Sequence, residues 1–392
     1  MAFCLLEYFP YGGLQRAFLR TALRCQELGY RIRIYALSWE GRIPDGMDVV
    51  VVRAHGLTDH ARYARYAEVV AETLRAQPVV CVVGFHPMPG LDVYYAAERC
   101  VAANPPPRPS GVDWRNPRRR YFEAAEREVF ARGASTRILL VSPEQGDEFE
   151  RHYGTEPERC VVLPPGVTRD RRAPDNATEV RAALRHELGI GDDELLLLTI
   201  GPGFIDKGLD RSLLALAQLP RELRTKTRLI AIGNDDVRAF ERMADRLRVA
   251  DRFAVLPSRD DIPRFLQAAD VLLHPAYVDT AGTVPLEALV GGLPSIVTDT
   301  CGNATLIGRA DAGRLIGAPF RQDAFNAAVA EVLADVDLRA AWRRNGIAHG
   351  HTIDPRGLPE RAARCIVAAA ERATRASNGA HRAGERSSRG ES

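Results

Sequence analysis

Leu195-Leu196-Leu197-Leu198-Thr199-Ile200, followed by Gly201-Pro202-Gly203-Phe204-Ile205-Asp206-Lys207-Gly208, decides how this chain folds. An unbroken apolar run of strand length has no polar face, so it reads as a strand covered on both sides by helices, as in a parallel sheet. The glycines behind it turn the chain and leave a lysine beside the strand's carboxyl end.

Downstream, short Val/Ile/Leu runs at 228–232, 253–256, 271–274, 295–298 and 314–316 alternate with segments of helical period, which completes a doubly wound α/β sheet. Upstream the same alternation places strands at 2–8, 31–37, 49–53, 79–85 and 137–142, separated by helices at 14–28, 62–75, 89–100 and 121–132. A polar Asp/Arg/Pro/Asn stretch at 166–185 separates the two halves. The expected organisation is therefore a Rossmann-like domain over 1–170 and a second over 171–350. A helix over 351–375 is expected to pack back on the first, and 376–392 reads as a disordered tail. Two facing sheets of this kind make a cleft lined by strand carboxyl ends, where ligands bind in open α/β folds.

A chain of 392 residues, 46% hydrophobic and 27% charged, has enough apolar surface for two sizeable cores. Its 53 basic and 51 acidic residues nearly cancel to +2, which gives no field suited to coating nucleic acid. The seven cysteines are scattered, with neither a disulfide framework nor zinc spacing, and fit a reducing cytoplasm. Glu7 interrupts the N-terminal apolar stretch and no basic leader precedes it, so neither export nor a bilayer span is expected. Lys207 and Lys226 are the only lysines, which draws attention to the one in the glycine loop.

Three loops can carry chemistry. Pro10-Tyr11-Gly12-Gly13 joins the opening strand to its helix, where glycines allow close backbone approach and free helix amides can face an anion. The loop 201–208 puts the Lys207 ammonium where it can neutralise a diphosphate, but Asp206 replaces the third glycine of the dinucleotide fingerprint, which disfavours a dehydrogenase. The third runs Tyr277-Val278-Asp279-Thr280-Ala281-Gly282-Thr283-Val284-Pro285-Leu286-Glu287. Pro285 suits the first turn of a helix, so the amides of Ala281, Gly282 and Thr283 become donors at its positive end. Glu287 among apolar neighbours needs a polar partner, for which a hydroxyl-rich ligand is suited. Asp279 reads either as a ligand for hydroxyls or as a helix cap.

A strand followed by two acidic residues eight apart, with an upstream Lys-Gly loop and an N-terminal Gly-Gly loop, resembles the retaining glycosyltransferases of family 4 with the GT-B fold. The likeness tightens at residues 8–16, Ser38-Trp39-Glu40-Gly41, residues 88–94, Leu163-Pro164-Pro165-Gly166 and His274-Pro275-Ala276-Tyr277, which are similar to the members that build the lipopolysaccharide core. It spans about residues 2–370. The resemblance implies a retaining hexosyltransferase that moves glucose from UDP-glucose to an inner-core heptose, with no metal or other cofactor. It further implies that Gly13 approaches the diphosphate, Lys207 binds phosphate, Glu287 holds the ribose and Asp279 the sugar hydroxyls. Arg171, Gly233 and Arg259 would line the nucleotide pocket, and His86 and Asp92 the acceptor side. In a front-face displacement of this kind no carboxylate nucleophile is required.

The chain departs from the family pattern at Asp279, where glutamate is usual, at Asp206, where a basic residue commonly precedes the lysine, at Ala17 and at His86-Pro87. A related transferase with another nucleotide-sugar or glycan, or a nucleotide-sugar binder without turnover, fits these departures. Asp335-Val336-Asp337 lies in a helical stretch and reads as a solvated face. Residues 108–137 carry eight arginines against four acids, interleaved with Trp114, Tyr121, Phe122 and Phe130. Such a segment either lies on the anionic cytoplasmic leaflet, beside a lipid-anchored acceptor, or packs as an ordinary amphipathic helix. The expected location is the cytoplasmic face of the inner membrane.

Overall fold

The computed structural model describes residues 1–103, 116–354 and 356–388, with side chains through residue 375. The chain divides into two compact units, Met1–Pro164 with Leu358–Ser392, and Pro165–Gly357. The junction falls within Pro164-Pro165, a few residues before the expected limit at 170.

The strands of the first unit are β1 (Ala2–Cys4), β2 (Glu7–Tyr8), β3 (Ile32–Ala36), β4 (Ser38–Trp39), β5 (Met47–Val51), β6 (Val82–Gly84), β7 (Val93–Ala96), β8 (Arg137–Leu140) and β9 (Cys160–Val162). Seven of them form a sheet in the order β5-β3-β1-β6-β7-β8-β9. All its pairings are parallel, with Phe3 opposite Ile34 on one side and Val83 on the other. The short β2–β4 pair is held by the Tyr8 and Trp39 rings, stacked at 3.8 Å.

Two expectations fail here. The segment 89–100 is not a helix: after a turn with Gly90 at φ +80° it forms β7, whose Val-Tyr-Tyr-Ala sequence is wholly buried. Aromatic and β-branched side chains fit that two-sided strand position, and the helical period was misleading. The chain beyond residue 375 also does not lose regular structure, since one helix runs from Gly357 to Ser388. Its first half is anchored, with Ala362, Ala363, Ile366 and Ala370 buried in the core of this unit and Arg24 paired with Glu360. Extending an anchored helix needs no new nucleus, so a polar continuation can stay helical. Residues 389–392 of the expected tail lie outside the described residues.

The second unit contains β10 (Leu195–Ile200), β11 (Thr227–Ile232), β12 (Phe253–Leu256), β13 (Val271–His274), β14 (Ser295–Thr298) and β15 (Gly313–Ile316), in the parallel order β12-β11-β10-β13-β14-β15. All six residues of β10 are buried. At roughly 1.5–3 kcal/mol for each fully buried Leu or Ile, this outweighs the modest strand propensity of leucine. Leu197 and Leu213 belong to the apolar layer on one face, Leu196 and Leu198 to the layer on the other. Because β11 lies on one side of β10 and β13 on the other, the loops after β10 and β13 diverge at a topological switch point. Lys207 and Asp279 are on those two loops.

Candidate active site

Hydrogen bonds tie the loops at the carboxyl end of the second sheet to one another. Gly203 N–H donates to both carboxylate oxygens of Asp235 at 2.9 Å, which joins the loops after β10 and β11. Ser258 N–H donates to Asn234 Oδ1 at 2.8 Å and brings in the loop after β12. Tyr277 N–H donates to the Asp206 carbonyl at 2.8 Å, and Gly302 N–H to the Asp279 carbonyl at 2.8 Å. The Asn303 side-chain amide donates to Ala281 O at 2.8 Å. Each loop is thus held by its neighbour, so side chains from different strands are fixed relative to one another.

Gly208 and Gly282 are required by this packing. Gly208 sits at φ +72°, and a Cβ there would lie 2.1 Å from Pro275 O. Gly282 sits at φ +53°, and a Cβ would lie 1.5 Å from Gly302 O. A side chain at either position would push the β10 and β13 loops, or the β13 and β14 loops, apart.

Asp279 is the hub. Lys207 Nζ donates to its Oδ1 at 3.0 Å, and both side chains are largely buried, at 16% and 11% exposure. Gly282 N–H donates to the same oxygen at 3.2 Å. His274, the fully buried last residue of β13, donates from Nε2 to Oδ2 at 2.7 Å. Burial opposes ionisation of Asp279, but the His274 hydrogen bond and the Lys207 charge outweigh it and hold the carboxyl far below its usual range. Burial likewise opposes a charge on His274, and the Asp279 hydrogen bond prevails, raising the imidazole to about 9. Cys301 is buried beside them, the three donor atoms lying within 4.8 Å of one another. An ammonium on Oδ1 and an imidazole on Oδ2 satisfy both carboxylate oxygens of Asp279, while among the described residues His274 Nδ1 has no hydrogen-bond partner.

The helix Thr283–Gly291 begins directly after this hub, with Gly282 as its left-handed cap. Among the described residues, the amides of Ala281 and Thr283 have no hydrogen-bond partner, while that of Gly282 is taken by Asp279. Two of the three expected anion donors are therefore available at the helix's positive end, beside Lys207. Asp279 accepts the Gly282 amide at the start of the helix, as the capping reading expected, and also pairs with Lys207, a contact the sequence reading did not foresee.

Glu287 is 4% exposed within that helix, and Arg171 Nε lies 3.4 Å from its Oε1. Arg171 is itself 2% exposed. A buried cation from the start of the second unit thus compensates the buried carboxylate. Gly233 follows β11, donates its N–H to Leu256 O, and lies so close to Gly201 O and the Phe204 ring that a Cβ would sit 2.9 Å from each. It supports the glycine loop from beneath. Arg259 is engaged by Asp261, with Nη2 to Oδ2 at 2.9 Å, and its guanidinium lies 4.6 Å from the Phe265 ring centre. A phosphate at Arg259 would compete with that carboxylate.

The remaining expected site residues belong to the first unit. Gly13 is exposed and opens the helix Gly13–Glu27, whose first turn has no acidic residue. His86 follows the carboxyl end of β6 and pairs through Nδ1 with Glu98 Oε1 at 2.7 Å. Asp92 does not join it. It precedes the amino end of β7, where its Oδ2 accepts the Val82 N–H at 2.7 Å, so it secures the opposite end of the sheet from His86. The resemblance put both on the acceptor side, but the chain crosses from the carboxyl end of β6 to the amino end of β7 between them, which separates the two. Ala17 is half-buried against the core of the first unit. Asp206 exposes its side chain. Asp335 caps the helix Val336–Gly350 by accepting the Leu338 N–H at 2.9 Å.

In the arginine-rich segment, residues 104–115, including Arg108, Asp113, Trp114 and Arg115, lie outside the described residues. The helix Pro117–Phe130 packs one face inward, burying Ala125, Glu126, Val129 and Phe130. Phe130 stacks on Phe149 at 3.8 Å, and Phe122 meets Tyr63 edge-on at 6.3 Å. Arg118, Arg120 and Arg127 remain exposed, so the outward face is cationic rather than aromatic. Among the described residues, no helix is long and apolar enough to cross a membrane.

Sequence reasoning assigned no role to His274, although a histidine ending an apolar Val-Leu-Leu strand signals a buried polar partner. It also missed Arg211. This guanidinium lies 3.5 Å from the Tyr277 ring centre and 3.7 Å from that of Phe320, and donates to Pro275 O at 2.9 Å, bracing the loop before Asp279.

Residues 11–171 match the Glycosyltransferase Family 4 family, and residues 180–349 match Glycosyl transferases group 1. The chain is 40% identical over 367 residues to the lipopolysaccharide glucosyltransferase WaaG of Escherichia coli (strain K12), covering 94% of this chain and 98% of that one. It superposes on the crystal structure of WaaG, a glycosyltransferase involved in lipopolysaccharide biosynthesis, with a TM-score of 0.88 over 93% of this chain and 99% of that one. Anabaena HepE, solved with UDP-glucose, shares the fold at 17% identity and a TM-score of 0.71, over 94% of this chain and 99% of that one. With two parallel doubly wound sheets and relatives matched along nearly its whole length, the chain belongs to the family 4 glycosyltransferases of GT-B fold and is a hexosyltransferase.

Proposed function

We propose that the protein transfers glucose from UDP-glucose, with retention, to an inner-core heptose of lipopolysaccharide, at the cytoplasmic face of the inner membrane. The observation that carries this reading is the ammonium of Lys207 beside the open amides of Ala281 and Thr283, in a chain 40% identical to a lipopolysaccharide glucosyltransferase over almost all of both.

A departing UDP gains negative charge as the sugar–phosphate bond breaks. Lys207 and the helix end supply fixed positive potential there, and fixed donors cost no reorganisation during the reaction. The acceptor hydroxyl attacks from the leaving-group side, and the leaving phosphate takes its proton, so no carboxylate nucleophile and no metal are called on. Asp279 takes hydroxyls of the glucose, Glu287 those of the ribose, and Gly13 approaches the diphosphate through its backbone. His86, paired with Glu98, is the acceptor-side candidate that remains, because Asp92 stands at the opposite end of the sheet, bonded to the Val82 amide. A binder without turnover would use the same phosphate-binding elements, so it is turnover rather than binding that separates the two readings.

The test is a panel of nucleotide-sugars read by thermal shift, followed by turnover with truncated lipopolysaccharide core as acceptor. UDP-glucose is expected to stabilise the protein most and to be consumed. An equal response to a purine nucleotide-sugar, or stronger stabilisation and turnover with another donor, overturns the assignment.

A further inference from the structure

We propose that His274 is a positioning residue for sugar transfer: it holds Asp279 by Oδ2 in the place where the carboxylate meets the transferred sugar, once the donor's diphosphate draws Lys207 away from Oδ1. This rests on the reading that Asp279 takes sugar hydroxyls.

Four observations support it. First, the two carboxylate oxygens have separate partners, Lys207 and the Gly282 amide on Oδ1 and His274 on Oδ2. Second, those partners differ in mobility. Lys207 sits on a loop at the end of a flexible stem, whereas His274 ends β13, is fully buried, and is paired in register with Val297. Third, a diphosphate carries more charge than one carboxylate and has the open helix amides beside it, so the ammonium gains by moving to it. Asp279 then keeps only the Gly282 amide and the imidazole. Fourth, aspartate is one methylene shorter than glutamate, so this carboxylate stays close to the strand end and within reach of His274. Among the described residues the buried Nδ1 of His274 has no hydrogen-bond partner, so the 2.7 Å bond to Asp279 is the main polar contact that orients the ring, with the Cys301 thiol beside it.

The test uses the full chain, with the nucleotide-sugar that stabilises the wild type most and its nucleoside diphosphate. His274→Leu is expected to keep diphosphate affinity within about twofold and to lower kcat by roughly tenfold to a hundredfold, because a misplaced sugar leaves the reactive geometry. His274→Gln, whose side-chain N–H can reach the position of Nε2, is expected to recover kcat to within about fivefold of wild type, while the shorter His274→Asn is not. The proposal is overturned if His274→Leu turns over like the wild type, if diphosphate affinity falls in parallel with kcat, or if Gln rescues no better than Asn. Should the leucine variant fail to fold, the Gln and Asn pair decides alone. If a donor other than UDP-glucose wins the panel, the donor assignment falls while this comparison still stands or fails on its own.

Discussion

Lys207 Nζ and Asp279 Oδ1 meet at 3.0 Å across the switch point of the second sheet, so the ammonium that should receive a diphosphate is already neutralised by a carboxylate of the same site. The donor therefore exchanges one anionic partner of Lys207 for another, and the gain is the difference between them. Lys207→Ala is expected to abolish most of the melting-temperature rise given by UDP-glucose and to lower kcat/KM by roughly two to three orders of magnitude, the scale for losing one group that stabilises developing charge. Titration calorimetry and steady-state turnover check it, and an unchanged thermal response would remove Lys207 from the phosphate site.

The His274–Asp279 pair makes stability depend on pH in a defined direction. His274 is raised from its ordinary 6.5 to about 9, so its contribution is complete below pH 6.5 and lost as pH rises through about 9. Asp279 is depressed, so its contribution is present above the ordinary carboxylate range and lost only in strong acid. Lys207 and Cys301 face the same pair. The melting temperature of the unliganded protein is expected to fall more steeply between pH 6.5 and 9 than that of His274→Leu. Parallel curves for the two proteins would refute the pairing as a source of stability.

Gly282→Ala tests the junction of the loops after β13 and β14. With φ at +53° and a Cβ placed 1.5 Å from Gly302 O, the backbone must move, since a carbonyl cannot rotate away like a side chain. A destabilisation of more than about 2 kcal/mol is expected, together with loss of UDP binding. Chemical denaturation measures the first and fluorescence titration the second. A stable variant with normal UDP affinity would show that the loop tolerates displacement.

Arg171 and Glu287 form a buried pair, at 2% and 4% exposure. Arg171→Met removes a buried counter-charge from Glu287 and is expected to cost about 3–5 kcal/mol. The double variant Arg171→Met/Glu287→Leu is expected to recover much of that stability while leaving UDP affinity low, because the ribose carboxylate is gone. Recovery of both stability and affinity would argue that Glu287 acts only as a structural partner of Arg171.

The exposed arginines of the helix Pro117–Phe130 supply the test for a membrane face. Binding to anionic vesicles is expected to weaken by about fivefold for each of Arg118 and Arg120 replaced by glutamine, and to fall with added salt. Co-sedimentation at several ionic strengths measures both. Binding that ignores salt, or none to the unaltered protein, would leave this helix with packing as its only role.

How much of this was legible beforehand differs by residue. The run 195–200 announced a two-sided strand, and Gly208, Gly282 and Pro285 announced the turns around it, because each of these signals is local. The run 89–100 misled, since periodicity cannot separate a short buried strand from a helical segment and only burial between β6 and β8 makes it a strand. Asp92 was misplaced with it. His274 was visible as an oddity, but its partner depends on a loop five residues on folding back over the strand end.

The amino-acid sequence alone determined most of the alternation of buried strands and helices and the identity of the groups that could carry charge, because propensity, patterning and turn chemistry act over a few residues. Only the tertiary structure decided which of those groups meet. The strand order brings Lys207 to Asp279 and Arg171 to Glu287, and it turns Asp92 to the far end of its sheet. Each of these pairings depends on burial and on the spacing of neighbouring strands, quantities that no single segment contains.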